Sequence, residues 1–295
     1  MFYAKLITPF KSSETHVRFN IIGAGRLGKN LALSLMTRAG CQLTAVCNRH
    51  LHHAEKAVTE LGTGIAVATL TDLPMVDITF ITTPDDSIAS IAAEWVSPSP
   101  VVVHCSGVLS SDVLVPLKAK GSLVASIHPL RAFRDNHLQR DALQGCDCVV
   151  EGNEDVVCLL TALFSAMGAE VVPIKASKKG SYHAAAVMAS NYVVTLAGCA
   201  IELLLDAGLT EIQAKDMTQH LMQSSLTNIQ NTNHVADALT GPLARGDVGT
   251  IETHLQAITA PHIAALYRAA GLATLLLTNL DPSKSDALTR WLNEH

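Results

Sequence analysis

Aromatic residues make up only 4% of this 295-residue chain, and basic residues do not outnumber acidic ones, the formal net charge being −5. A nucleic-acid surface needs a cationic footprint and rings on which bases stack. Neither is present, so no nucleic-acid partner is expected. Charged residues are also sparse, 16% against 48% hydrophobic, which argues for a well-buried fold rather than a disordered chain. The seven cysteines (Cys41, Cys47, Cys105, Cys146, Cys148, Cys158 and Cys199) include no Cys-x-x-Cys pair and lie mostly in apolar segments. Buried thiols in a reducing compartment fit this better than disulfides or a metal site. The longest apolar run, about Tyr192 to Leu205, contains Thr195 and Glu202 and falls short of a membrane span. Lys5, Pro9, Lys11 and Glu14 break up any signal-peptide core, so a cytoplasmic protein is expected.

What the chain does have is a glycine turn in a telling place. The run Val17 to Ile22 is rich in β-formers, Gly23-Ala24-Gly25-Arg26-Leu27-Gly28 follows, and Leu27, Leu31 and Leu35 then recur at steps of four. That is the strand, turn and helix order of a dinucleotide-binding unit. Gly23 permits the tight turn, Gly25 lets a pyrophosphate approach the backbone, and Gly28 lets helix and strand pack closely. Free N–H groups at the helix start would hold the phosphates, with Arg26 and Leu27 beside them.

Apolar runs then alternate with helical patterns. Strands are expected over 43–47, 65–68, 77–82, 101–104 and 123–127, with two more near 148–150 and 170–172 flanking a helix over 154–167. Continuous apolar strands between helices predict a doubly wound, mostly parallel α/β sheet. After about Lys175 the alternation stops, and helices are expected over 181–206, 210–230, 247–259, 261–270 and beyond Pro282. The expected division is an extension over 1–16, a dinucleotide-binding domain over 17–175 and a smaller all-helical domain over 176–295.

An enzyme preferring NAD carries an acid at the end of the second strand. This chain has Asn48-Arg49-His50 there. No acid opposes a 2′-phosphate and Arg49 offers a forked cation, so NADP is the expected cofactor. His50, His52 and His53 lack a carboxylate or cysteine partner at ligand spacing, and no metal is expected. Ligands of open parallel sheets lie beyond the carboxyl ends of the strands. The polar ends here are Thr82-Thr83-Pro84-Asp85-Asp86, His104-Cys105-Ser106-Gly107 and Ser126-Ile127-His128. Asp86 and Asp112 are read as helix caps. Thr83, Pro84, Ser106 and His128 are candidates for lining a nicotinamide pocket.

In the helix after Ser181, His183, Val187 and Asn191 recur at steps of four and share one broad face among small residues. That face is either a polar site or a core histidine and asparagine satisfied by backbone groups. Later, Thr240-Gly241-Pro242-Leu243-Ala244-Arg245-Gly246-Asp247 leads into another helix. Asp247 is placed as its N-cap, while Arg245 suits either a carboxylate ligand or a pairing with Asp247.

These motifs together (Gly-Ala-Gly-Arg-Leu-Gly, Thr-Pro-Asp-Asp, His-Cys-Ser-Gly, Ser-Ile-His-Pro-Leu, Tyr-His-Ala-Ala-Ala with Ser-Asn, and Leu-Thr-Gly-Pro with Arg-Gly-Asp) resemble the two-domain proteins that join a Rossmann-like half to a DUF2520 half. The resemblance covers about Arg18 to Leu280. It implies a helical domain like the one that closes 6-phosphogluconate dehydrogenase, and a plan similar to ketopantoate reductases and pyrroline-5-carboxylate reductases. The better-known ketopantoate reductases carry Lys, Asn and Asn where this chain has His183, Val187 and Asn191, so the last alone matches. The implied activity is NADPH-dependent reduction of a small 2-oxo acid, 2-dehydropantoate (ketopantoate) to pantoate. His183 is the expected proton donor, Asn191 the orienting amide, and Thr240 and Arg245 the carboxylate contacts; Lys178 and Lys179 are the reserve donors. The alternatives are imine reduction of the pyrroline-5-carboxylate kind and a non-catalytic NADP-binding regulator. A homodimer through the helical domain is expected from its apolar surface.

Overall fold

A computed structural model describes residues 16–133 and 138–293; nearly all of the expected extension, 1–15, lies outside them. The chain forms two compact units that part between Ser190 and Asn191. The division falls one helix later than the expected position near Ala176, because the helix after the sheet is tied to the strand ends by the buried side chain of Lys179.

The first unit is an eight-stranded sheet. Its elements run β1 (Arg18–Ile22), α1 (Arg26–Arg38), β2 (Gln42–Cys47), α2 (Leu51–Leu61), β3 (Ile65–Val67), β4 (Ile78–Ile81), α3 (Asp85–Glu94), β5 (Val101–His104), α4 (Val115–Lys118), β6 (Leu123–Pro129), β7 (Asp147–Gly152), α5 (Glu154–Ala166), β8 (Glu170–Pro173) and α6 (Lys179–Ala189). Strand order is β3-β2-β1-β4-β5-β6-β7-β8. The strands are parallel from β3 through β6, β7 is antiparallel to β6, and β8 is parallel to β7. The order reverses between β1 and β4, the switch point at which such sheets bind ligands.

Period-two alternation sends neighbouring side chains to opposite faces. Phe19, Ile21, Ile78, Phe80, Val101 and Val103 build one core; Ile22, Ile81 and Val102 build the other. Phe19 and Phe80 meet edge to face at 6.4 Å. Both faces are covered, which is why these strands read as unbroken apolar runs.

The reversed edge sets where the next helix begins. β8 ends where Ile174 N donates to Val150 O, at the level at which Glu151 faces Ser126 across the β6–β7 pairing. The chain turns there, and α6 climbs past the carboxyl ends of β5 and β6.

The second unit is helical: α7 (Asn191–Asp206), α8 (Glu211–Gln230), α9 (Pro242–Arg245), α10 (Val248–Ala257), α11 (Pro261–Leu275) and α12 (Pro282–Asn293). α7 packs along α8, which opens with a capping box between Thr210 and Gln213. Ile251, Leu288 and Leu292 form its small core. The single helix expected over 181–206 is two helices. Ser190, at φ −123° and ψ −71°, leaves the helical well, and its N–H closes on Val187 O. By length and composition the stretch Ala176–Asp206, of hydropathy 1.6, would suffice to cross a bilayer. The break leaves helices of 11 and 16 residues, each short of the about 20 that a span requires.

Candidate active site at the strand ends

The glycine turn forms one wall of a cleft of about 840 Å³ lined by Gly23, Gly25, Asn48, Arg49, Thr83 and Pro84 among others. Gly23 has φ +91°, and a side chain there would run into the backbone of Thr83. A Cβ on Gly28 would lie 2.5 Å from Thr82 Oγ1 and 2.6 Å from Gly23 O, whereas one on Gly25 would meet nothing within 4 Å. So Gly28 serves close packing, and Gly25 leaves open space in front of the backbone. α1 begins there with no side-chain cap and no acid in its first turn, so the positive end of its dipole meets no carboxylate from the helix itself. Asn48 Oδ1 accepts from Ala24 N at 2.8 Å and fixes the turn against the end of β2. Thr83 Oγ1 is buried without a partner, a cost that a ligand hydroxyl or amide in the cleft would remove. Arg49 and Lys56 bring cationic charge to the lining of the cleft, beside His50 and His53. An uncapped helix start, an orphaned hydroxyl and this charge fit a dinucleotide that carries an extra phosphate.

Beside the cleft, the ends of β5 and β6 meet α6. Helical spacing puts Lys179, Tyr182 and His183 on one face of α6, and each finds a partner on the strand ends. Lys179 is 1% exposed; its Nζ donates to Ser106 O at 2.7 Å and to Ser126 Oγ. Burial pulls its ammonium down to about 8, against attraction from Glu151, Cys105 and Asp85. Tyr182 Oη lies 2.8 Å from His128 Nδ1. The His128 and His183 rings are 6.0 Å apart, on either side of Gly107. A Cβ on Gly107 would collide with His183 Cδ2 and lie 2.9 Å and 3.0 Å from His128 Cε1 and Nε2. The missing side chain is what lets the two imidazoles face each other.

His104 is fully buried and holds this loop. Its Nδ1 accepts from Ser106 N at 3.2 Å, so its proton is on Nε2, which donates to Ser110 O at 3.1 Å. Burial, and then the Lys179 charge, lower it to about 4. Burial, Lys179 and His183 likewise lower His128 to about 4, opposed by Asp85. Both rings are neutral near pH 7. Glu151 closes the same region by accepting from Ser111 N at 2.7 Å and Ser111 Oγ at 2.8 Å.

The sequence candidates therefore fall into separate groups. Gly23, Gly25, Asn48, Arg49, Thr83 and Pro84 line the cleft, and Arg26 and Leu27 open α1 next to it. His128 and His183 face each other across Gly107. Ser106 is buried, and its hydroxyl accepts from Val108 N and Leu109 N, so its carbonyl is what reaches Lys179. Asn191 is not on the helix of His183: it opens α7, exposed, beyond the break at Ser190. In the second unit Thr240 is exposed and Arg245 ends α9. Asp247 caps α10 by accepting from Thr250 N and Oγ1 at 3.1 and 2.7 Å. Those bonds lower its carboxyl, with a smaller pull from Arg245. Pro84, not Asp86, takes the N-cap position of α3, and Asp112 lies within a 3-10 turn, where it accepts from Ser110 Oγ. Lys178 is exposed. Tyr182, Gly107 and His104 were not among the candidates. The i, i+3, i+4 spacing of Lys179, Tyr182 and His183 was the available signal.

Comparison with known proteins finds two domain matches, the second of which begins in the sheet unit and runs past Ser190 into the helical unit. Residues 9–129 match the Rossmann-like domain model, and residues 146–274 match the domain of unknown function DUF2520. Among solved structures the chain is similar to an inferred NADP oxidoreductase of Bacteroides fragilis, with 21% identity and a TM-score of 0.72 over 88% of this chain and 98% of that one. A Thermotoga maritima protein follows, with 25% identity and a TM-score of 0.67 over 88% and 97%. An imine reductase of Pseudomonas sp. shares the fold at 16% identity, with a TM-score of 0.62 over 95% and 100%. Comparison with curated proteins finds no match. The chain thus shares the fold of these structures.

Proposed function

We propose that this protein is an NADPH-dependent reductase of a small 2-oxo acid, 2-dehydropantoate to pantoate being the specific reaction. The observation that carries the reading is the meeting of His183 with His128 over Gly107, one strand along from the glycine cleft. NADPH, when bound, supplies a hydride to the carbonyl carbon. The turn at Gly23–Gly28 and the start of α1 hold the pyrophosphate, Arg49 the 2′-phosphate, and Thr83, Pro84 and Ser106 flank the nicotinamide end. Negative charge grows on the carbonyl oxygen, and His183 delivers a proton to it. Asn191 orients that oxygen, and Thr240 and Arg245 hold the substrate carboxylate; these three roles rest on residue chemistry and the family resemblance.

The test is consumption of NADPH by purified protein with 2-dehydropantoate. His183→Ala should lower kcat by roughly 10²–10⁴-fold and leave NADPH affinity unchanged; full activity would remove His183 from the mechanism. Reduction of a cyclic imine is the second reading, favoured by the shared fold of the Pseudomonas enzyme. Activity on 1-pyrroline-5-carboxylate with none on 2-oxo acids would establish it. Seven unpaired cysteines suit the reducing cytoplasm. A second copy of the chain is the proposed partner, seated on the apolar side chains that α7 and α8 leave exposed, Val194, Ile212 and Leu221 being over 70% accessible.

A further inference from the structure

Beyond the proton donor, the cluster contains a second imidazole whose hydrogen-bonding state is set by a neighbour. We propose that Tyr182 is a positioning residue that holds His128 in the tautomer protonated on Nε2, so that His128 is a catalytic residue donating a hydrogen bond to the substrate oxygen opposite His183. The inference rests on the reductase reading and deepens it: one side chain transfers the proton, while the other stabilises the charge that develops on the same atom.

Three observations converge. First, the hydroxyl of half-buried Tyr182 is 2.8 Å from His128 Nδ1. Burial pushes the phenol upward, so it keeps its proton, and Nδ1 is the acceptor in reach. Donation by the phenol satisfies both groups, Nδ1 being the acceptor that the structure places beside it. Second, once Nδ1 accepts, the single proton of the neutral ring is on Nε2, the atom 3.0 Å from the Cβ that Gly107 lacks. His183 Cδ2 would collide with the same Cβ, so Nε2 of one ring and the edge of the other come together at the glycine. Third, the surroundings keep the ring neutral. Desolvation, Lys179 and His183 all disfavour its cation, Asp85 favours it, and the balance lies on the neutral side near pH 7. A neutral N–H donor fixed in advance stabilises developing charge without having to reorganise.

The geometry also explains why Gly107 is glycine. Its φ is not in the left-handed region, so turn geometry does not demand it. Any side chain would displace the two rings.

The test is a double-mutant cycle with the full chain, NADPH and 2-dehydropantoate, accompanied by ¹⁵N NMR of the histidine rings. Removal of one preorganised donor costs about 10²–10³-fold in kcat, and His128→Ala should do so with NADPH affinity unchanged. His128→Gln, whose amide N–H reaches the position of Nε2, should recover most of that loss. Tyr182→Phe should lower kcat by about tenfold, the equivalent of 1.4 kcal/mol, with KM little changed. Because the tyrosine acts through the histidine, Tyr182→Phe should cost nothing further in the His128→Ala background. The ¹⁵N shifts of wild-type His128 should mark Nε2 as protonated and Nδ1 as the acceptor. A ring protonated on Nδ1, or additive losses in the double variant, would overturn the proposal, as would full turnover by His128→Ala. In each of those cases a wild-type protein that turns over still supports the reductase reading. A wild-type protein that oxidises no NADPH with any oxo acid or imine overturns that reading and the donor role together.

Discussion

Strands β4 and β5 bury every one of their residues, four each, whereas α7, at 16 residues, buries none fully. The contrast extends across the two units. Among apolar residues of the second unit, Ala214, Ile251, Ile263, Leu288 and Leu292 are buried, while Tyr192, Val194, Ile212, Leu221 and Leu276 are more than half exposed. The sheet unit closes around its own cores on both faces. The α7–α8 pair has an amphipathic surface to cover and little within its own unit to cover it. Stability in the first unit therefore comes from internal packing, and in the second less of the apolar surface contributes in this way.

The sharpest way to break the contrast is to remove a large side chain from each region. Phe80→Ala, which takes the partner from Phe19, should cost about 3–5 kcal/mol in denaturant unfolding. Leu221→Ala, at a residue 72% exposed, should cost no more than about 0.5 kcal/mol if α8 has no partner. A larger loss there, dependent on protein concentration, would count for the dimer.

Between pH 6.5 and 4 acid should act on the first unit. His104 titrates at about 4 when folded against 6.5 unfolded. The unfolded chain thus binds more protons in that window, and stability falls as pH drops from 6.5 to 4. At 1.36 kcal/mol per pH unit the loss is on the order of 3 kcal/mol from this residue. His104→Gln should flatten the acid limb of a pH–stability curve, and an unchanged slope would remove the residue from the linkage.

Association can be tested separately. Val194→Asp with Leu221→Asp should convert a dimer to monomer in sedimentation and leave the acid limb of the sheet unit as it was. A wild-type protein that sediments as a monomer at all concentrations would end the dimer reading.

The smallest effect compares two caps. Asn153 caps α5 by accepting from Asp155 N and Val156 N, and Thr210 caps α8 by accepting from Gln213 N. Alanine at either should cost about 1 kcal/mol. Thermal unfolding that separates the units would assign each loss to its own transition.

Where chemistry is local, the chain was readable. The order of β1, glycine turn and α1 follows from residue types within twenty positions, and the eight strands follow from apolar runs bounded by polar ends. Three features were not readable, two because their partners are distant in sequence and one because no residue marks it. Lys179 in sequence is one of two adjacent lysines before a helix, and its burial depends on Ser106 and Ser126, which lie 73 and 53 residues away. The partner of Tyr182 likewise lies 54 residues away. The break at Ser190 interrupts a run of small and apolar residues with good helical spacing, without a proline or glycine to mark it. Periodicity put Asn191 on the helix of His183, and one residue outside the helical well makes it the start of the next helix.

The reversal of β7 and β8 makes the short connector 174–178 a phasing device. An α-helix advances by about 100° per residue, so one residue deleted between Pro173 and Lys179 would swing the next side chain into each place now held by a polar partner. Gly180 would replace the buried lysine, and Ala184 would arrive where the imidazole of His183 now stands. Such a variant would retain its sheet and its cleft while losing its polar cluster, so the length of this connector is as strict a requirement as the identity of any residue it positions.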